Sequence, residues 1–122
     1  MNKDPLSNEL NNDLASPHVR RLDAASFERT IQHGIVLVDF DEPWCGPCRM
    51  QLAVLENLAN QIGSGTTLAE VNIDAVPTLA LQYQVESIPT LVLFKDGQPL
   101  GRFVGVQHER RLAMAIKVAA KS

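Results

Sequence analysis

The chain has 122 residues, of which 45% are hydrophobic and 20% charged, and its formal net charge is -3. This length and apolar content suit one globular domain with a single core. An acidic chain with scattered basic residues does not attract a phosphate backbone, so we expect no nucleic-acid partner. The longest strongly apolar run, residues 35–38, is far shorter than the roughly 20 residues that cross a bilayer, so we expect no membrane association.

The N-terminal segment differs in composition from the rest of the chain. Residues 1–18 are rich in Asn, Ser, Asp and Pro without a regular apolar period, which predicts a flexible extension ahead of a domain over residues 19–122. Residues 1–14 have no apolar core and cannot serve as a secretory signal. The two cysteines, Cys45 and Cys48, are too close in sequence to join distant parts of a secreted fold. We therefore expect a cytoplasmic protein.

The first predicted elements are a helix, a strand and a second helix. The first helix begins after Asp23, which can cap it, and Gly34 supplies its stop. The apolar run of residues 35–40 is typical of a parallel strand buried on both faces, although it contains the charged residue Asp39. The residues that follow Cys48 have helical apolar spacing, so the cysteine pair lies where a helix begins.

The second half of the chain predicts further strands and helices. Residues 68–73 are predicted to form a strand, and Pro77 is predicted to begin a short helix. The apolar run of residues 91–94 leads into an Asp-Gly turn at Asp96, which predicts antiparallel final strands. An apolar stripe marks a last helix at Leu112, Ile116 and Ala119. Together these elements predict an α/β fold with a central mixed β-sheet flanked by helices.

The chemistry-bearing motif is the segment of residues 44–49, WCGPCR. A thiol at a helix N-terminus meets unpaired backbone N–H groups and the positive end of the helix dipole, which stabilise its thiolate. Cys45 is therefore the expected nucleophile. Cys48 lies one turn further along the helix and is the expected resolving thiol, while Gly46 and Pro47 hold the short loop that brings the two sulfurs together.

Four segments, in this order, resemble the thioredoxin family: residues 38–40 (VDF), 44–48 (WCGPC), 72–74 (NID) and 88–90 (IPT). The resemblance spans about residues 19–119 and implies a thioredoxin fold. It also implies a protein-disulfide reductase in which Cys45 attacks a substrate disulfide and Cys48 resolves the mixed disulfide. The expected partners are thioredoxin reductase and disulfide-containing proteins. The expected protein is a monomer without a bound cofactor that draws on NADPH only through the reductase.

The resemblance assigns further residues to the site. Asp39 matches the buried carboxylate that accepts or relays the proton of Cys48 during resolution, a role that burial favours by raising its pKa. Pro89 matches the family's cis-proline, which lies against the cysteines and presents backbone groups to substrate. The remaining substrate-binding positions surround the nucleophile, and they are Trp44, Gly46, Pro47, Ile73, Ile88, Val104, Gly105 and Val106.

Two acidic residues depart from the family pattern. Glu70 stands where thioredoxins usually carry a lysine that faces the buried aspartate, which makes Glu70 a candidate catalytic residue beside Asp39. Two such carboxylates repel each other, so one of them should hold a proton at neutral pH and the two should titrate as a coupled pair. Asp41 stands where an aromatic residue is common. It makes the entrance acidic, and we expect a less acidic Cys45 thiol than in a typical relative.

Three alternatives compete with a disulfide reductase. A Cys-x-x-Cys pair can be half of a zinc site, but there is no second pair and the three histidines lack ligand spacing, so we predict no metal site. The chain would otherwise be a thioredoxin-fold accessory or binding protein dedicated to one partner, with secondary redox activity. A dithiol oxidase or isomerase is the third alternative, and the missing export signal argues against it.

Overall fold

The computed structural model of the protein describes residues 14–122. The strands in this part of the chain are β1 Leu14–Ser16, β2 Val19–Arg21, β3 Ile35–Asp41, β4 Thr66–Asn72, β5 Thr90–Lys95 and β6 Gln98–Val104. The helices there are α1 Ala24–Ile31, α2 Gly46–Leu58, α3 Pro77–Gln82 and α4 Glu109–Lys121. No helix within these residues has both the length and the apolar character that crossing a bilayer requires. The predicted α/β class is confirmed.

The strands form one mixed sheet in the order β1-β2-β4-β3-β5-β6. Strands β2, β4 and β3 are parallel, whereas β5 is antiparallel to β3 and β6 is antiparallel to β5. A parallel pair needs a crossover connection, and α2 supplies it between β3 and β4. The carboxyl ends of β3 and β4 therefore meet the beginning of β5 and the end of β6 at one end of the sheet. We call this end the upper end.

The first helix and the last turn form where the local sequence predicts them. Asp23 caps α1 through a reciprocal pair of hydrogen bonds with Ser26, and α1 buries Phe27 against the sheet. Asp96 and Gly97 form the turn between β5 and β6 with positive φ angles of 49° and 87°. Asp-Gly turns favour this conformation because aspartate tolerates it and glycine has no Cβ to clash.

Helices cover both faces of the sheet. One core cluster joins α1 and α3 to the face of β3 that carries Val36, Val38 and Phe40. The other joins α2 and α4 to the opposite face of β3, which carries Ile35 and Leu37. Successive side chains of a strand alternate between faces, so the residue two positions after Leu37 also faces α2. That residue is aspartate, the one charged group inside the apolar run of this strand.

Strand β1 lies inside the segment that the sequence assigns to an extension. It pairs antiparallel with β2. The hydroxyl of Ser16 donates a hydrogen bond to the Glu56 carboxylate on α2, and the backbone N–H of His18 donates another over 2.6 Å. A domain that begins at residue 19 therefore leaves out a strand that joins the sheet. The rest of the predicted extension, residues 1–13, lies outside the described residues.

Candidate active site

The cysteine pair lies at the start of α2, just beyond the carboxyl end of β3. Cys45 is the N-cap residue of α2, and the backbone N–H of Cys48 donates a hydrogen bond to its sulfur over 3.1 Å. Pro47 lies in the first helical turn, where its missing N–H leaves no helix bond unmade. The sequence-based placement of the pair at a helix N-terminus is confirmed.

The two sulfurs are joined in a disulfide whose Cα atoms are 5.2 Å apart. Cys48 is almost fully buried, with 2% of its surface exposed, whereas Cys45 retains 7%. The amide that points at the sulfur of Cys45 and the dipole of α2 both favour a thiolate there once the disulfide is reduced. The geometry therefore suits reversible dithiol-disulfide chemistry, with Cys45 the more exposed of the two residues.

The predicted cis-proline lies at the same end of the sheet. The Ile88-Pro89 peptide bond is cis, as the resemblance implies. The carbonyl of Pro89 accepts a hydrogen bond from the N–H of Gly105 over 2.8 Å, and Thr90 at the start of β5 pairs with Val104 at the end of β6. Pro89 and the segment of residues 104–106 are thus held together at the upper end.

The other predicted groove residues meet this end from the sides of β3 and β4. The N–H of Ile73 donates to the carbonyl of Asp41 over 2.9 Å, which ties the segment after β4 to the end of β3. Trp44 is 68% exposed, and its indole N–H donates to the carboxylate of Asp74 over 3.2 Å. Asp74 is not among the predicted site residues. The other exposed or half-buried members of this surface are Gly46, Pro47, Ile73, Ile88, Val104, Gly105 and Val106.

Asp39 is fully buried on the face of β3 that α2 covers. Neither of its carboxyl oxygens has a hydrogen-bond partner among the described residues. Burial, and after it the charge of Glu70, raises the pKa of Asp39 well above the usual value of an aspartate. An ionised carboxyl group in this setting binds a proton more strongly than an exposed one does, because its charge is not solvated.

Glu70 is the residue of β4 that pairs with Asp39 of β3 in the parallel register. It is only 7% exposed, and β4 is an interior strand, so Glu70 lies inside the sheet rather than at its edge. Arg21 of β2 donates a hydrogen bond from its Nε to Glu70 over 3.2 Å. Arg21 is a charge partner absent from the predicted site residues. Side chains two positions apart on a strand lie on the same face, and Val19 is buried, so Arg21 lies on the buried face of β2. This alternation is the sequence signal that could have identified Arg21.

The expectation that Asp41 makes the entrance acidic is wrong. Its side chain is the last of β3 and is 4% exposed. Burial, the charges of Asp39 and Glu70, and a hydrogen bond with Glu70 raise its pKa to about 9, while Arg21 acts in the opposite direction. A neutral carboxyl group adds no negative charge beside Cys45. The charge of Asp41 therefore does not support the expectation that the Cys45 thiol is less acidic than in a typical relative, and that expectation stays a prediction.

A cavity of about 680 Å³ opens beside this cluster, and its lining includes Arg21, Asp41 and Glu70. It gives two of the three buried carboxyl groups, Asp41 and Glu70, a route to solvent.

Within residues 14–122, no three His, Cys, Asp or Glu side chains are arranged to hold a metal ion.

A disulfide at a helix N-terminus and a cis-proline, both at the upper end of an α/β sheet, define a thiol-disulfide oxidoreductase. The sequence model of the thioredoxin family, described as Thioredoxin, matches residues 18–118. The chain belongs to the thioredoxin family. It reduces protein disulfides by dithiol-disulfide exchange through Cys45 and Cys48. Thioredoxins work without a prosthetic group, and their chemistry resides in the cysteine pair.

Individual relatives agree with this assignment. The chain is 42% identical over 93 residues to a thioredoxin of Staphylococcus saprophyticus, an alignment that covers 76% of this chain and 89% of that protein. It is 44% identical over 89 residues to a thioredoxin of Staphylococcus aureus, covering 73% and 86%. Among solved structures, a mutant thioredoxin from Halobacterium salinarum NRC-1 superposes with a TM-score of 0.73. It is 37% identical, and the match covers 85% of this chain and 93% of that one.

Proposed function

We propose that Cys45 is the attacking thiolate and Cys48 the resolving thiol of this reductase. The observation that carries the assignment is the N–H of Cys48 that donates to the sulfur of Cys45 at the N-terminus of α2. A donor aimed at one sulfur favours the thiolate form of that sulfur. The greater exposure of Cys45 agrees, because the attacking sulfur must meet a sulfur of another protein.

The exchange proceeds in two balanced steps. The thiolate of Cys45 forms a bond to one substrate sulfur, the substrate disulfide breaks, and the departing substrate thiolate takes up a proton. Cys48 then loses its proton and attacks the sulfur of Cys45. The mixed disulfide breaks, the second substrate thiol leaves, and the Cys45-Cys48 disulfide forms. Two electrons have passed to the substrate.

Asp39 is our proposed proton acceptor for Cys48. It is buried on the sheet face that α2 covers, and a raised pKa makes a carboxylate a stronger base. Glu70 and Asp41 share this environment, since Glu70 pairs with Asp39 in register and is hydrogen-bonded to Asp41. We propose that the charge of Glu70, which raises the pKa of both aspartates, strengthens Asp39 as a base.

The exposed apolar surface around Cys45 is the proposed substrate groove. Trp44, Val104 and Val106 are 68%, 57% and 38% exposed, and a group of exposed apolar side chains is typical of a contact surface. We propose that an extended substrate segment lies between them over Pro89. The other contacts would come from Gly46, Pro47, Ile73, Ile88, Gly105 and Val106.

Trapping of mixed disulfides tests the order of attack. The Cys48→Ser variant should accumulate a covalent complex with a disulfide-containing protein such as insulin, because no resolving thiol remains. The Cys45→Ser variant, which also has a single thiol, is the matched control and should form far less of the complex. The reverse pattern would assign the attack to Cys48, and a wild-type protein that fails to reduce insulin would refute the function.

The electron donor and the compartment are proposed from the family. We propose that a thioredoxin reductase regenerates the dithiol with electrons from NADPH and that the protein works as a monomer in the cytoplasm, where thiols stay reduced. The test is the midpoint potential of the cysteine pair, with turnover by thioredoxin reductase measured on the same sample. We expect a value near the roughly -270 mV typical of thioredoxin, with turnover. A much more oxidising potential, or no turnover, would indicate another donor.

A further inference from the structure

Gln51 is a fully buried polar residue of α2 on the helical turn after Cys48. Its side-chain amide makes two hydrogen bonds to the backbone of a single residue. The amide nitrogen donates to the carbonyl of Gln107 over 3.1 Å, and the amide oxygen accepts from the N–H of Gln107 over 2.6 Å. A buried amide that meets both backbone groups of one residue fixes the position and the orientation of that residue relative to the helix.

Gln107 extends this connection to the groove. Its own side-chain amide donates to the carbonyls of Val104 and Gly105, each over 3.1 Å. Gly105 in turn donates its N–H to the carbonyl of Pro89 over 2.8 Å. A continuous set of hydrogen bonds therefore runs from the helix that carries the cysteines, through Gln107, to the two backbone segments on the other side of the groove.

We propose that Gln51 is a positioning residue that sets the spacing between the nucleophile Cys45 and the groove segment of residues 104–106. This inference rests on the proposed function, because it needs a substrate segment that occupies the groove. Spacing matters to a protein substrate, which must contact the groove while its sulfur reaches Cys45. It matters little to a small disulfide, which needs only the sulfur. Gln51 thus contributes to the preference for protein disulfides.

The variant Gln51→Met tests the inference, because methionine keeps the length and volume of the side chain and removes both hydrogen bonds. Insulin reduction, driven by dithiothreitol, gives kcat and KM for a protein disulfide. The second-order rate of the pre-reduced protein with dithiobis(nitrobenzoic acid) reports on a small disulfide. Gln82→Met is the matched control, since it makes the same exchange at an exposed position of α3.

We expect Gln51→Met to raise KM for insulin about tenfold, because the two hydrogen bonds that fix the backbone of Gln107 are lost. It should leave kcat and the small-disulfide rate close to wild type, as Gln82→Met should for all three quantities. A wild-type KM in Gln51→Met would overturn the inference. Equal losses on both substrates would overturn it too, because they indicate a general disruption of the site.

A second variant keeps the inference testable if Gln51→Met does not fold. Gln107→Ala leaves the backbone bonds of Gln51 in place and removes the two bonds to Val104 and Gly105. It should raise KM for insulin in the same direction, and an unchanged KM would again refute the inference. If the proposed function itself is wrong, the wild-type protein will not reduce insulin. That result is distinct from an unchanged KM in a variant.

Discussion

Asp39 of β3 and Glu70 of β4 are paired in the parallel register in the interior of the domain, where each side chain has less than a tenth of its surface exposed. Asp41 lies on the same face of β3 as Asp39 and adds a third buried acidic group. The charge of Glu70 raises the pKa of both aspartates. The folded protein should therefore show a measurable dependence on pH.

Replacing Asp41 should change how stability depends on pH. An aspartate whose pKa is raised on folding stabilises the fold fully below its unfolded pKa, and that contribution is lost as the pH rises through the folded pKa. For Asp41 the window runs from 3.8 to about 9. We expect the wild type to lose stability relative to Asp41→Asn across this window, by at most about 1.4 kcal/mol for each pH unit.

Urea unfolding at a series of pH values measures this difference. The isosteric Asp41→Asn side chain can still donate to Glu70, so the comparison isolates the ionisation. Glu86→Gln, which removes an exposed carboxyl group, is the control and should run parallel to the wild type. Parallel curves for the wild type and Asp41→Asn would show that Asp41 is ionised in the folded protein.

Reversing the charge at Glu70 should shift the pH at which Cys48 becomes reactive. A cation beside Asp39 favours its carboxylate form, so Glu70→Lys should move the reactivity profile of Cys48 to lower pH by roughly one to two units. The measurement is alkylation of the single thiol of the Cys45→Ser background against pH. Glu70→Gln, which removes the charge without reversing it, should give a smaller shift. An unchanged profile in both variants would refute the coupling of Asp39 to Glu70.

Removing the carboxylate of Asp39 should slow resolution of the mixed disulfide. Asp39→Asn keeps the shape of the side chain but cannot accept a proton, and general-base catalysis is worth about 10²- to 10⁴-fold. The lifetime of the mixed disulfide should lengthen by that order near neutral pH, as measured by acid quenching, while the first attack by Cys45 changes little. Glu86→Gln, which removes an exposed carboxyl group, serves as the control. Equal lifetimes in Asp39→Asn and the wild type would show that another group deprotonates Cys48.

Arg21 and Arg20 are adjacent on β2 and offer a matched pair of variants. Arg21 is hydrogen-bonded to buried Glu70 but has 46% of its side chain exposed, so solvent screens part of the interaction. We expect Arg21→Gln to cost about 1 to 2 kcal/mol of unfolding free energy. Arg20→Gln makes the same exchange at an exposed position and should stay within about 0.5 kcal/mol of the wild type. Chemical denaturation measures both, and equal effects would mean that Arg21 contributes only as a surface charge.

Signals carried by neighbouring residues are readable from the sequence. The cap at Asp23, the strand after Gly34 and the turn at Asp96 each depend on local chemistry, and the structure has all three. The position of Cys45 at a helix start follows from the same kind of signal. The fold and the cysteine pair could therefore be predicted.

Features that depend on contacts across the fold could not be read in this way. Asp41 follows an apolar run and looks like a loop residue, but strand β3 continues through it and buries it. Gln51 looks like an exposed helical position until residue 107 lies against it. Strand β1 has too few residues for a periodic pattern and depends on pairing with β2. In each case the burial or the pairing depends on segments that are distant in sequence, so no local pattern predicts it.

Trp44 is the only tryptophan of the chain, and it lies exposed beside the cysteine pair. Its indole is already largely exposed in the folded state, so its emission maximum should shift little when the core melts. A bound substrate segment would cover the same indole and shift its emission. Intrinsic fluorescence therefore reports docking at the groove, whereas unfolding is better followed by near-ultraviolet circular dichroism of the packed rings of Phe27, Phe40, Tyr83 and Phe94.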